Sequence, residues 1–361
     1  MKVLSLPRYE SQGASSRMRF FQYQTWLEAT GISVTSAPLF SNDYVHGLQR
    51  GYKSKSEVAH AYASRVRRLL TSRSFDLLWI EKEALPWLPA WLEKALLPRS
   101  VPYVLDYDDA VFHYYDQHRS LLVRGMLADK HPALIRGAAL VVAGNTYLAD
   151  FACQAGAKRV EVVPTVIDLD RYPIAEFTSH GHTSDVPLVG WIGQRSTASF
   201  LLPYKQIFER FNASGLARFG AIGIDAQSLG LPMESIAWSE QTEAASIASF
   251  SIGIMPLVDE PFERGKCGYK LIQYMACGLP VVASPVGVNC RIVEHGVNGF
   301  LVETPAEWED ALKMLLVDPG LRYRMGQAGR RKVEEQYCLQ TTGPKMAGLL
   351  QSVASEAKHR G

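Results

Sequence analysis

Cysteine is scarce in this chain, and the five present (Cys153, Cys267, Cys277, Cys290 and Cys338) are odd in number, with no C-x-x-C pair. A fully paired disulfide framework is excluded and a thiolate zinc site is disfavoured; reduced thiols in a cytoplasmic protein are the expectation. No apolar run approaches the roughly 18–20 residues that a membrane span needs. The opening MKVLSLPRYES has too short an apolar stretch for a secretory signal. An excess of either charge is also missing: 38 Lys and Arg stand against 36 Asp and Glu, which argues against nucleic acid as the main partner.

Apolar residues make up 47% of the 361 positions and charged residues 20%, a globular composition. At roughly 100–200 residues per domain the length suits two domains. Short apolar runs at Val3–Leu6, Leu77–Ile80, Tyr103–Leu105, Leu140–Ala143 and Val160–Val163 read as buried parallel strands. Helical spacing at Ser16–Ala29 and Lys55–Ser72 lies between them. Alternation of this kind implies an α/β chain with a doubly wound parallel sheet. The pattern lapses over Ile174–Val186, a polar Ser/Thr/His/Gly stretch that reads as a linker. It restarts at Leu188–Ile192, Arg218–Ile222, Ser251–Met255, Leu279–Ala283 and Phe300–Val302. The expected division is therefore 1–178, 179–345 and a closing helix in 346–361 that ends the second domain or returns to the first.

The most informative stretch is Glu260–Asn289, which reads as a loop, a helix, a Gly-Leu-Pro turn and a buried strand. Gly265 and Gly268 fall at the helix entry, where backbone amides can approach an anion. Lys266, Lys270 and Gln273 follow i, i+4, i+7 spacing and share one helical face. At 1.5 Å per residue they span about 10 Å, long enough for a diphosphate and a ribose. The alternative is an amphipathic helix with a solvated lysine face.

Tyr274–Ser284, Gly287 and Gly296–Val302 closely resemble the donor-binding signature of the family-4 retaining glycosyltransferases. The resemblance implies the GT-B fold, two Rossmann-like domains with a cleft between them. It also implies a nucleoside-diphosphate sugar as co-substrate, with neither a further cofactor nor a bound metal. The family's E-x7-E pattern is altered: its ribose-binding Glu falls on Gln273 and its sugar-contacting Glu on Gly265. Glu263 is the candidate replacement carboxylate. The backbone amides of Cys267, Gly268 and Tyr269 are then expected at the sugar hydroxyls.

Other segments extend the resemblance. Leu188–Thr197 looks like the first strand and phosphate loop of the second domain, with Gly193, Arg195 and Ser196 at the donor diphosphate. Ile236–Ser239 resembles the segment that brackets the base, with Trp238 against the base or in the core. In the first domain Gly13 and Arg17 open a helix at a position that faces the cleft; the spacing is not G-x-G-x-x-G. Asp106, Asp108 and Asp109 follow an apolar strand, where α/β sheets place ligands. Asp109 is the candidate to orient or deprotonate an acceptor hydroxyl, and His113 lies four residues on. A helix-cap cluster is the competing account of these carboxylates. Glu81-Lys82-Glu83 also follows a strand. A basic cluster (Arg65, Arg67, Arg68, Arg73) and an apolar stripe (Trp87, Leu88, Trp91, Leu92) suit either peripheral contact with the inner face of a membrane or ordinary solvated and core faces.

The implied reaction moves a hexosyl unit to an acceptor hydroxyl of a glycan, a lipid-linked acceptor or a small molecule, in cell-surface polysaccharide, lipopolysaccharide or glycoconjugate synthesis. Lys270 is the expected catalytic cation, stabilising the leaving diphosphate with Arg195 and Lys266. Two other readings remain: a nucleotide-sugar epimerase of GT-B fold, and a non-catalytic GT-B partner protein.

Overall fold

Runs such as Leu77–Glu81 and Tyr103–Tyr107 are buried at every residue, the condition of a strand covered on both faces. In the computed structural model, which describes residues 1–52, 54–172, 174 and 186–360, such runs build two separate parallel sheets. The first contains β1 (Lys2–Leu6), β2 (Ser33–Ser36), β3 (Leu77–Glu81), β4 (Tyr103–Tyr107), β5 (Leu140–Ala143) and β6 (Val160–Val162). Its order is β2-β1-β3-β4-β5-β6. The second contains β7 (Leu188–Ile192), β8 (Arg218–Ile222), β9 (Glu234–Ile236), β10 (Ile252–Met255), β11 (Val281–Ala283) and β12 (Gly299–Leu301). Its order is β12-β11-β10-β7-β8-β9. In each sheet the chain reverses its direction of winding at one place, between β1 and β3 and between β7 and β10. Doubly wound folds bind ligands at the carboxyl ends of the strands flanking such a point.

Two strands were not expected. β2 is half exposed and β9 mostly exposed, and both lie at sheet edges. An edge strand needs no continuous apolar run, so neither stood out. The expected helix over Ser16–Ala29 is broken into Ala14–Arg19, a 3-10 turn at Phe21–Tyr23 and Gln24–Ala29.

The chain divides into two units. Unit 1 comprises Met1–Thr165, Gly265–Cys267 and Thr342–Gly361; unit 2 comprises Val166–Arg264 and Gly268–Thr341. Most of the expected linker, residues 175–185, lies outside the described residues. The closing helix is longer than expected, Leu339–Arg360. Within unit 1 its segment buries Met346, Leu350 and Val353. Gly343 lies where an added Cβ would come 2.9 Å from Trp26. Lys345 Nζ donates to Val162 O at 2.9 Å, and Arg159 donates to Ser352 Oγ at 3.0 Å. In unit 2 one side of the sheet packs on Trp191, Phe208, Phe219 and Trp308, and the helix Tyr269–Ala276 packs into a cluster with Tyr172 and Val333.

Candidate functional site

In unit 2 the residues at the switch point converge. β7 ends at Ile192, and Gly193 leads into the short helix Arg195–Ala198. The helix Tyr269–Ala276 follows β10, and Lys270 lies in its first turn. Lys270 Nζ sits over the Trp191 ring, 4.2 Å from its centroid, and 3.4 Å from Thr197 Oγ1. A Cβ on Gly193 would stand 2.5 Å from Lys270 Nζ and from the Trp191 ring, so any side chain there must displace one of them. Arg195 and Ser196 are exposed beside it. Gly268 caps the helix in the left-handed region, φ 65°, and a Cβ there would meet Ile292 at 2.4 Å. Tyr269, the first helical residue, is half buried.

The helical-face expectation needs correction. The helix begins at Tyr269, so Lys266 lies outside it and does not share its face with Lys270. Gln273 is buried, and its Nε2 donates to the Tyr172 hydroxyl at 3.0 Å. Tyr172 in turn donates to Glu243 at 2.7 Å, and Trp238 Nε1 donates to the other oxygen of Glu243 at 2.6 Å. Burial and Glu243 push the Tyr172 hydroxyl well above its usual range, so it remains a donor. Trp238 is thereby held through its indole nitrogen, just past the carboxyl end of β9 and near Gly223, which follows β8. Glu263 is half buried in the short helix Pro261–Arg264.

In unit 1 the carboxyl ends of β3 and β4 carry a dense set of charges. Asp106, expected to face a ligand, is instead buried: it accepts from Arg19 Nε at 2.7 Å and from Trp79 Nε1 at 3.3 Å. Arg19 also donates to Val163 O at 2.8 Å, so the pair is fully engaged in the core. Asp108 is buried against Lys82, whose Nζ lies 2.5 Å from Asp108 Oδ1 and 3.4 Å from Glu81 Oε1. Asp109 is half exposed, and burial together with the neighbouring Asp108 charge pushes its carboxyl up to about 6. Cys267 is a buried thiol pushed up to about 12 by burial, and it donates to Asp108 O at 3.0 Å.

Asn145 Nδ2 donates to Gly265 O at 2.8 Å and to Lys266 O at 3.0 Å. A Cβ on Gly265 would come 2.4 Å from Ala110 Cβ, so no glutamate side chain fits at this position of the altered E-x7-E pattern. Gly13 precedes the helix Ala14–Arg19 and lies against Tyr9, with 2.4 Å for an added Cβ. Arg17 is buried, its Nη1 directed to Ser11 O at 3.3 Å. His113 is held between Asp116 at 2.9 Å and the Tyr147 hydroxyl at 2.8 Å.

Lys82, which on sequence only follows a strand, has an unusual backbone in the structure. It is buried, and its φ of 62° is one of only two positive values among described non-glycine residues. Glu83 N donates to Glu81 O at 2.6 Å across it, a γ-turn of the rare strained kind. Backbone strain of this sort costs about 1–3 kcal/mol and is held in place only by its surroundings. Glu243, Tyr172 and Trp191 carried no recognisable signal in sequence. The basic cluster is not one face: Arg65 is buried and donates to Pro7 O at 2.8 Å. Trp87 and Trp91 are 49% and 70% exposed, and only Trp91 lies on the helix Ala90–Leu96. Among the described residues no helix is long and apolar enough to cross a membrane.

Residues 229–318 match the family model described as glycosyl transferases group 1. The D-inositol 3-phosphate glycosyltransferase of Pseudarthrobacter chlorophenolicus is 38% identical over 87 residues, 24% of this chain and 20% of that protein. The alignment thus spans about a fifth of that relative's length. Sucrose-phosphate synthase from Thermosynechococcus elongatus superposes with a TM-score of 0.71 at 17% identity, over 99% of this chain and 100% of the other. Anabaena HepE in complex with UDP and glucose gives 0.67 at 19% identity, over 98% and 100%. The chain therefore has the GT-B fold of two Rossmann-like domains, and its residues 229–318 are similar to the glycosyl transferases group 1 family.

Proposed function

We propose that this protein is a retaining glycosyltransferase of family 4 that moves a hexosyl unit from a nucleoside-diphosphate sugar to an acceptor hydroxyl. The observation that carries this reading is Lys270, a cation fixed over Trp191 at the switch point of the second sheet, inside the family-matched segment. The bond from the anomeric carbon to the diphosphate oxygen breaks, and its electron pair leaves on the diphosphate. Lys270 and Arg195 meet that charge, and the Ser196 hydroxyl, the Gly193 loop and the amides at Gly268 and Tyr269 add donors. Lys266 contributes a further cation. Trp238 flanks the base, and Glu263 serves the sugar. The acceptor oxygen bonds to the anomeric carbon from the face the diphosphate leaves. Its proton passes to Asp109, with Asp108, Arg17 and His113 on the acceptor side. Lys and Arg take the place of a metal, and no cofactor beyond the donor is needed.

The UDP and glucose held by the HepE structure make UDP-glucose the first donor to test. The relative's name, with inositol phosphate as its acceptor, supports a place in glycoconjugate or cell-surface polysaccharide synthesis. The exposed Trp87, Trp91, Leu121, Leu122 and Met126 support peripheral contact with a membrane at its cytoplasmic face. Co-sedimentation with anionic vesicles, compared with neutral ones, tests that contact.

Incubation with UDP-glucose decides the reaction class. Release of UDP, with the sugar passed to water or an added acceptor, supports a transferase. An isomerised donor identifies an epimerase, and UDP binding without turnover identifies a non-catalytic partner. NMR of the product reads the anomeric configuration, and inversion overturns the family-4 mechanism.

A further inference from the structure

We propose that Lys82 is a positioning residue for the Asp108–Asp109 pair: its ammonium engages Asp108 and leaves Asp109 as the carboxylate that meets an acceptor hydroxyl. The inference rests on the reading of Asp109 as the acceptor-side group. It begins with the backbone. Lysine has no preference for φ near 62°, yet Lys82 holds that angle at the carboxyl end of β3, beside the β1/β3 switch point. A strained residue persists when its neighbours over-determine it, and here they do. Lys82 N donates to Asp106 O at 3.0 Å. Two residues on, Ala84 N and Leu85 N both donate to the buried Glu93 carboxylate, at 2.7 and 3.1 Å. Lys130 Nζ clamps the same turn through Leu85 O at 2.5 Å and Glu83 at 2.6 Å.

The three consecutive charges Glu81, Lys82 and Glu83 are thereby sorted. Glu81 accepts from Ser16 Oγ at 2.6 Å and Arg8 N at 2.7 Å. Glu83 accepts from Tyr115 at 2.9 Å. Lys82 is directed to the loop after β4, where its Nζ meets Asp108 at 2.5 Å while staying 3.4 Å from Glu81 Oε1. The charges that face Asp109 are Asp108, Lys82, Lys266 and Glu81. Of the two aspartates Asp108 is the buried one and Asp109 the half-exposed one, so the unspent carboxylate is also the accessible one.

Removing the Lys82 charge leaves two neighbouring carboxylates to share a proton, which raises the pH at which the second one ionises. The test uses the full chain with aspartate carboxyl carbons labelled for NMR. A resonance absent from Asp109→Asn is expected to titrate near 6 in the parent protein. In Lys82→Met it moves up by about one unit or more, and in Lys82→Arg it returns toward the parent value. In Asp108→Asn, where Lys82 is free to turn to Asp109, it moves down. The acid limb of UDP release from UDP-glucose, with water as acceptor, shifts in the same directions. UDP affinity measured by calorimetry stays within about twofold of the parent, less than the tenfold change that each 1.4 kcal/mol would bring. An Asp109 titration that does not move in Lys82→Met or in Asp108→Asn overturns the proposal, as does Lys82→Arg behaving like Lys82→Met. Should Asp109→Asn release UDP at the parent rate while the NMR shifts appear as expected, the acceptor role of Asp109 fails and the hold of Lys82 on the pair stands.

Discussion

Lys270 rests on the face of Trp191, with Nζ 4.2 Å from the ring centroid and 3.4 Å from Thr197 Oγ1. Strand β7 and the helix after β10 therefore share one cation. The indole limits the ammonium's wandering and displaces water from one side of it. In Lys270→Ala, UDP release from UDP-glucose is expected to fall by about a hundredfold or more, the usual cost of removing one preorganised charge-stabilising group. The melting temperature should change little. Near-parent turnover in a folded variant would remove Lys270 from the diphosphate site.

Gly193 tests the same arrangement by space instead of charge. A methyl group at this position would stand 2.5 Å from Lys270 Nζ and from the Trp191 ring, and one of them must move. UDP affinity of Gly193→Ala, read by calorimetry, is expected to drop about tenfold, or 1.4 kcal/mol. Unchanged affinity would show that the ammonium is not held where UDP binds.

Gln273 stands in a buried hydrogen-bond chain that a double-mutant cycle can probe. Tyr172 donates its proton to Glu243, so its oxygen must accept from Gln273. A glutamate at 273 would set a second carboxylate on the same hydroxyl. Gln273→Glu is expected to lower unfolding stability by about 1–3 kcal/mol, the cost of a buried polar group left without its partner. Adding Glu243→Gln should return part of that loss. Additive effects in urea unfolding would separate the two positions.

His131 gives a pH dependence of stability. It is fully buried, with Nδ1 2.8 Å from the Tyr107 hydroxyl, and burial lowers it from 6.5 to about 4. The folded state then binds the proton less readily than the unfolded state. Its contribution is complete above about 6.5 and is lost as pH falls through about 4, on the order of 3 kcal/mol at 1.36 per unit. The unfolding midpoint should fall over that window, and less steeply in His131→Gln. Parallel curves would discount the histidine.

The central strands were legible because both their faces are covered. LLWIE at Leu77–Glu81 and VVA at Val281–Ala283 are apolar runs for that reason. SVTS at Ser33–Ser36 and ESI at Glu234–Ile236 escaped notice because edge strands keep contact with solvent. At the candidate site, Lys270 and Gly193 are readable as candidates from their own segments, since glycine and lysine at such places suggest close approach and charge. Lys82 and Glu243 are not. Their roles are set by partners distant in sequence: Asp108 for one, and Tyr172, 71 residues away, for the other. The same limit explains Asp106, which looked like a ligand residue until Arg19, 87 residues earlier, was seen to occupy it. Helical spacing also misled where Gly268 starts the helix two residues after Lys266.

The composition of unit 1 bears on how the chain matures as it is made. Its sheet is complete by Val162, yet Met346, Leu350 and Val353 belong to its interior. Those side chains leave the ribosome only after residue 341, when all of unit 2 has been synthesised. Until then unit 1 lacks the apolar side chains that complete its interior, a period in which a chaperone would find it. Unit 2 has its full sequence earlier, so the later-made unit is free to fold first, the reverse of the usual N-terminal-first order.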